Sequence, residues 1–327
     1  MSDTSQPPPM PAYIERGGEQ ELCPPCGLSG SQFYVFILQG GKVNLQNLLD
    51  QLFNQPSGGA LKYEAFSSYV AVMFTHVDRL ASAEPAQGWA AYGDIAMWVP
   101  VIDRSGSVPS FKMYPVYMVV DNGSTMATGR EIYGFPKEMG WFLEPQLPEF
   151  IGDLAVDVTG YGADSPTQQS IRTRLYTVQR DAGSTPAAFS PMASIRHVYD
   201  ELEKAMTLLH GASFKDEFTV AFDIFKDLFR IPALGLKQIR DIQDPTKAAF
   251  QAVVEAPLGI TKFRDARLLT DKYIFTLNDL ASHPVANDTG LKIGSQDVVF
   301  AFWLFADFEL GTGRTNWQYP TMSRRGA

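Results

Sequence analysis

Nine consecutive apolar residues, Val298-Val299-Phe300-Ala301-Phe302-Trp303-Leu304-Phe305-Ala306, constrain the fold of this 327-residue chain more than any other stretch. The run is about half the ~18 to 20 residues that a membrane-spanning helix needs. It is rich in aromatic and β-branched side chains, which suit a pleated surface, so it reads as a strand buried on both faces. Such a strand requires neighbours on each side and layers above and below.

Candidate neighbours recur along the chain. Phe33 to Leu38 is a strand-like run stopped by Gly40-Gly41, and further strands are expected at Ser68–Phe74, Ala96–Ile102, Tyr114–Val120, Leu154–Thr159, Ala249–Glu255 and Tyr273–Leu277. Leu45, Leu48, Leu49, Leu52 and Phe53 recur at helical spacing and end near Pro56-Ser57-Gly58-Gly59. A longer helix is predicted from the Ser190 cap and Pro191 to Gly211, with Ile195, Val198, Leu202, Ala205 and Leu209 on one stripe. A second amphipathic stretch covers Phe218–Phe229. Strands outnumber helices without regular alternation, so the expected class is α+β, predominantly antiparallel β. The expected organisation is a Pro/Gly-rich leader over 1–30, one domain over 31–310 with a helical insertion at about 190–230, and a polar tail over 311–327.

Composition narrows the function classes. Apolar residues at 45% and charged residues at 19% allow a sizeable core. The 36 acidic residues outnumber 27 basic ones and no basic run occurs, so no nucleic acid partner is expected. The N-terminus lacks a positive start and an apolar stretch, so no secretory signal and no membrane partner are expected, and the default location is cytoplasmic. Cys23-Pro24-Pro25-Cys26 has a redox or half-zinc spacing. No strand–helix context surrounds it, and His76, His197, His210 and His283 are scattered, so it reads as a turn.

Phosphate loops, dinucleotide-binding glycine motifs, serine-hydrolase elbows and zinc-protease helices are all missing from the sequence. What stands out is Ala127-Thr128-Gly129-Arg130-Glu131-Ile132-Tyr133-Gly134-Phe135-Pro136-Lys137-Glu138-Met139-Gly140. On its residue types alone it is a mixed-charge loop between strands, with Lys137 a surface lysine. Pro136 stiffens the approach to Lys137, and the aromatic neighbours can shield its amine.

This stretch resembles the motif of the acetoacetate decarboxylase family, in which Gly-Arg-Glu precedes an aromatic residue, a proline and the Schiff-base lysine. Tyr92-Gly93-Asp94-Ile95-Ala96-Met97-Trp98-Val99-Pro100-Val101 is similar to the family's segment with a tyrosine, an acidic residue and a later Pro-Val. Met113–Asn122, Leu236–Asp241 and Ala266–Leu280 also have family-like counterparts, so the resemblance is traceable with gaps from about Gln32 to Leu310.

The resemblance implies a cone-shaped antiparallel β-barrel with peripheral helices, a homo-oligomer, and no metal or organic cofactor. It implies a small-molecule keto acid as substrate, with Lys137 as nucleophile and Asp94 as proton shuttle. Arg130 and Glu131 then anchor a substrate carboxylate or pair with each other, Tyr92 and Phe135 line the substrate site, and Arg267 is structural. Burial suits a lysine nucleophile because only the neutral amine attacks a ketone and desolvation disfavours the ammonium.

Three positions depart from the family pattern. Glu138 stands where a second lysine follows the first, no arginine occurs near Ser31-Gln32, and an apolar residue around Val72 replaces an acidic one. Glu138 would oppose activation of Lys137 if its carboxylate were near the amine. The resemblance implies β-keto acid decarboxylation as the expected function, while the altered positions favour a rival use of the same lysine. Schiff-base aldol or dehydration chemistry on an oxo acid, and non-catalytic ligand binding, are the alternatives.

Overall fold

The computed structural model describes residues 12–14, 21–83, 87–143, 153–181 and 232–319. Their backbone is dominated by one hydrogen-bonded sheet system of fifteen strands. The long apolar run becomes β14 (Phe300–Leu310), flanked by β1 (Cys26–Gln39) and β11 (Leu258–Leu268), both antiparallel to it. From β1 the path continues through β3 (Tyr69–Ser82), β4 (Trp89–Asp103) and β5 (Ser110–Val120). It then crosses β6 (Lys137–Leu143), β7 (Leu154–Gly160), β8 (Ile171–Arg180), β12 (Tyr273–Leu277) and β13 (Gly294–Asp297). Four strands lie off this path: β2 (Tyr63–Ala65) on β4, β9 (Ala233–Arg240) on β5 and β10 (Ala248–Ala256), and β15 (Arg314–Gln318) on β10.

The expected antiparallel β-rich class is what the described residues form, with β5–β6 and the single β5–β9 contact as parallel exceptions. Among the described residues no strand pair joins β11 to β13. The sheet nevertheless curls on itself. Phe36 of β1 packs edge-on against Tyr273 of β12 with ring centroids 5.3 Å apart, and Val298 N, just before β14, donates to Tyr273 O at 3.0 Å. Strand alternation explains how one side is filled: Phe36 and Leu38 of β1, Val72 and Phe74 of β3, and Met97 of β4 all enter the main core. The helix α1 (Lys42–Leu49) and the π-turn that continues it over Asp50–Asn54 bury Leu45, Leu49 and Phe53 against the same core.

Two expectations are corrected. The leader does not extend to residue 30, because β1 begins at Cys26 and Leu22 is already buried. Within the polar tail, Arg314–Gln318 pairs with β10. Most consequentially, the segment before Lys137 is not a loop: Gly123–Glu131 forms the helix α2. Asn122 caps it, its side chain accepting from Ser124 N at 2.9 Å and Thr125 N at 3.3 Å. The proposed helices within 190–230 lie outside the described residues.

Candidate active site

Lys137 is placed by a strand–helix–strand crossover. β5 ends at Val120, α2 returns the chain, and β6 starts at Lys137 alongside β5, with Met118 opposite Lys137 and Val119 opposite Glu138. Such a crossover is what allows adjacent strands to run parallel. The connection between α2 and β6 is tight: Phe135 N donates to Gly129 O and Lys137 N donates to Phe135 O, each at 2.8 Å. Gly134 sits at φ 66°, and a Cβ there would lie 2.5 Å from Lys237 N, so both conformation and space require glycine. Arg130, on the exposed side of α2, bonds the Lys137 carbonyl through Nη1 at 3.0 Å.

The Lys137 side chain enters a buried site, although Arg130 and Glu131 at the end of α2 are exposed. Lys137 Nζ lies 3.0 Å from Asp94 Oδ2, and the two residues are only 6% and 7% exposed. Asp94 occupies the interior of β4 rather than a strand end, next to Val120 of β5 and Thr75 of β3. Lys137 Nζ also stands 5.1 Å from the centroid of the Tyr92 ring. Burial pushes the Tyr92 phenol well above its ordinary range, and the Asp94 carboxylate adds to the shift.

A cavity of about 30 Å³ adjoins the lysine, room for a water molecule or two. Its aromatic wall is Tyr92, Tyr133 and Phe135, and its aliphatic wall is Leu28, Leu80 and Leu310. Register explains the second wall: Leu28 pairs with Leu80 across β1–β3, and Cys26, which also lines the cavity, pairs with Leu310 across β1–β14. The roof comes from α2, where Gly129 is essential for space. A Cβ on Gly129 would overlap Cδ of Lys137. Thr128 ties the segment before β1 to this roof, accepting from Leu22 N at 2.9 Å.

Of the residues expected at the site, the structure brings Lys137, Asp94, Tyr92 and Phe135 together. Arg130 and Glu131 do not line the cavity; both are exposed, and Arg130 serves the backbone of Lys137 instead. Arg267 does not line the cavity; it is paired with Asp265 at 3.2 Å and stacked over Trp303. Sequence reasoning missed the aliphatic wall, since nothing local marks Leu28, Leu80 and Leu310 as neighbours. It also missed Cys26 as a wall residue. Burial raises the Cys26 thiol to about 11, against a lowering hydrogen bond with Tyr133, so it is an apolar wall group rather than a poised thiolate. Among the described residues no His/Cys/Asp/Glu group is arranged to hold a metal ion.

Glu138 turns away from all of this. Consecutive strand residues face opposite sides of a sheet, and the Glu138 carboxylate lies with His283, whose Nε2 is 3.0 Å and 3.2 Å from its two oxygens.

Residues 59–144, which contain both Asp94 and Lys137, match the family model for acetoacetate decarboxylase. The fold agrees over nearly the whole chain. The acetoacetate decarboxylase of Legionella pneumophila superimposes with a TM-score of 0.52 at 15% identity, over 95% of this chain and 93% of its own. The chain is acetoacetate decarboxylase-like in fold. A second solved acetoacetate decarboxylase gives a TM-score of 0.51 at 14% identity, with 92% of each chain covered. No protein of curated function matches the sequence. The acetoacetate decarboxylase-like fold thus persists at an identity that leaves most side chains different, and the family-model match spans the segment from just before β2 to the end of β6. Among the described residues no helix is long and apolar enough to cross a membrane.

Proposed function

We propose that the chain is a Schiff-base-forming carbon–carbon lyase that decarboxylates a β-keto acid through an iminium on Lys137. The observation that carries this reading is the buried Lys137–Asp94 pair, 3.0 Å apart, beside an otherwise mainly apolar cavity. Desolvation disfavours an ion pair relative to the neutral amine and acid. Transfer of one proton from Lys137 to Asp94 frees the amine to attack the ketone carbon. The resulting carbinolamine takes a proton on its oxygen, with Asp94 the adjacent donor, and loses water to give the iminium. The bond to the substrate carboxylate then breaks, its electron pair entering the iminium as an enamine while carbon dioxide leaves. Protonation of the enamine carbon and addition of water release the ketone and regenerate Lys137.

One observation favours a second reaction class at the same lysine. Lys137 is the only cationic side chain among the described residues lining the cavity, and it is already paired with Asp94. A substrate carboxylate would therefore lack a second cation there, whereas retro-aldol cleavage or dehydration needs only a carbonyl on Lys137 and a base in Asp94. Stoichiometric carbon dioxide release separates the two.

The test of the shared step is borohydride reduction with a panel of β-keto and α-keto acids, followed by intact-mass measurement of wild type and Lys137→Ala. An adduct on wild type alone is the expected result, and its mass reports whether carbon dioxide was lost. No adduct across the panel would favour a non-catalytic ligand-binding relative. The same reading takes the curled strand path as the wall of a cone-shaped barrel, supported by the Phe36–Tyr273 contact across it. It takes the protein as a cytoplasmic homo-oligomer without metal or organic cofactor. The free thiols of Cys23 and Cys26 suit a reducing compartment, and light scattering measures the assembly.

A further inference from the structure

Glu138 is an anion placed immediately after a lysine that must shed its proton, and the structure gives it a partner on the opposite side of β6. His283 Nε2 contacts both of its oxygens, and His283 Nδ1 lies 2.8 Å from Ser282 Oγ. Ser282 Oγ in turn accepts from Tyr161 N at 3.0 Å and has Tyr161 O at 3.3 Å to receive its own proton. With the serine proton directed there, both N–H groups of a doubly protonated imidazole find acceptors: the carboxylate at Nε2 and the hydroxyl oxygen at Nδ1.

The other groups around this ring are already committed. Tyr117 of β5 is tilted 40° to the imidazole with centroids 6.3 Å apart, and its hydroxyl donates to Asp288 Oδ2 at 2.6 Å. Asp288 belongs to the short helix α3 (Val285–Thr289) and also accepts from Asn287 Nδ2 at 3.1 Å. His283 is 8% exposed, so its pairing with Glu138 is poorly screened by water.

We propose that His283 is a positioning residue for the lysine chemistry: by pairing with Glu138 on the core side of β6, it keeps that carboxylate from locking Lys137 as the ammonium. This rests on the Schiff-base reading of Lys137. The argument is electrostatic. An unpaired, partly buried carboxylate one residue from Lys137 favours the charged amine, whereas a carboxylate held through both oxygens by His283 Nε2 is kept on the far side of the strand. It also accounts for how an acid can follow the lysine without abolishing the site.

The experiment is the pH dependence of borohydride-trapped adduct formation in the full chain, for wild type, His283→Asn and Glu138→Gln. His283→Asn leaves Glu138 without its imidazole partner, so the half-maximal pH should move up by roughly one unit. Glu138→Gln removes the anion and should move it down. A structural disturbance alone would lower the rate or the melting temperature without opposite pH shifts. If His283→Asn does not fold, the downward shift in Glu138→Gln still carries the test. Profiles that superimpose on wild type, or shift in the same direction, overturn the inference while leaving the Schiff base intact. A wild type that forms no adduct removes the Schiff-base reading and this inference together.

Discussion

Lys137 Nζ and Asp94 Oδ2 approach to 3.0 Å although their residues are 43 positions apart and open or cross different strands, β6 and β4. Lys137→Ala should abolish trapping altogether. Asp94→Asn should retain the fold and lower the trapping rate by roughly a hundredfold, the lower range for a positioned proton-transfer group. The check is single-turnover trapping with the substrate found by the keto-acid panel. A rate within threefold of wild type for Asp94→Asn would remove Asp94 from the proton path.

Gly129 is a packing partner of the lysine rather than a flexible joint. Gly129→Ala puts a methyl group into the volume of Lys137 Cδ, so the amine must move or the helix must tilt. Overpacking of this kind costs about 1 to 3 kcal/mol. Circular dichroism should show an intact fold, while the trapping rate falls at least tenfold. Unchanged trapping would mean that the lysine has more freedom than this contact allows.

Arg130 separates two roles by kinetics. Its guanidinium serves the Lys137 carbonyl from an exposed position. Arg130→Ala should therefore leave the substrate concentration for half-saturation nearly unchanged, and lower stability by about 0.5 to 1.5 kcal/mol. A large rise in half-saturation with an unchanged melting temperature would instead assign Arg130 to substrate binding.

Glu255 supplies a pH-dependent test of the fold away from the site. Burial opposes its ionisation, but hydrogen bonds from Asn316 and Lys112 prevail and hold its carboxyl below the ordinary value of 4.5. Lys112 Nζ is 2.7 Å away and equally buried, and Arg314 Nη2 is 2.8 Å from the other oxygen. A carboxyl with a lowered folded value stabilises fully above its unfolded value and loses that contribution as pH falls through the folded one. Glu255→Gln should thus destabilise by roughly 3 kcal/mol at pH 7, where it strands the buried Lys112. The gap in melting temperature to wild type should narrow below about pH 4.5. A gap independent of pH would show that the carboxylate charge contributes nothing.

Cys26 should be a slow thiol. With its value raised to about 11, the reactive thiolate at pH 8 is scarcer than on an ordinary cysteine by roughly a hundredfold. Iodoacetamide labelling followed by peptide mass spectrometry measures this directly. Rapid labelling of Cys26 in the folded protein would restore the redox reading of Cys23-Pro24-Pro25-Cys26.

Local sequence determined the elements whose pattern is self-contained. Tyr273–Leu277 forms β12 with the expected bounds, and the run beginning at Val298 supplies β14, because alternation, aromatic content and turn residues are all short-range signals. The motif around Lys137 was legible in the same way, as residue types in order. The helix α2 was not, since Gly123-Ser124-Thr125-Met126-Ala127-Thr128-Gly129 has weak helical propensity and owes its form to the Asn122 cap and to packing on β6. Which side chains meet Lys137 was decided only by tertiary structure. Leu28, Leu80 and Leu310 converge through strand register, and register depends on pairings far apart in sequence. The neighbour of greatest concern in the sequence, Glu138, ends up across the strand with His283, because adjacent residues on a strand face opposite ways and only the folded sheet defines what each side contains.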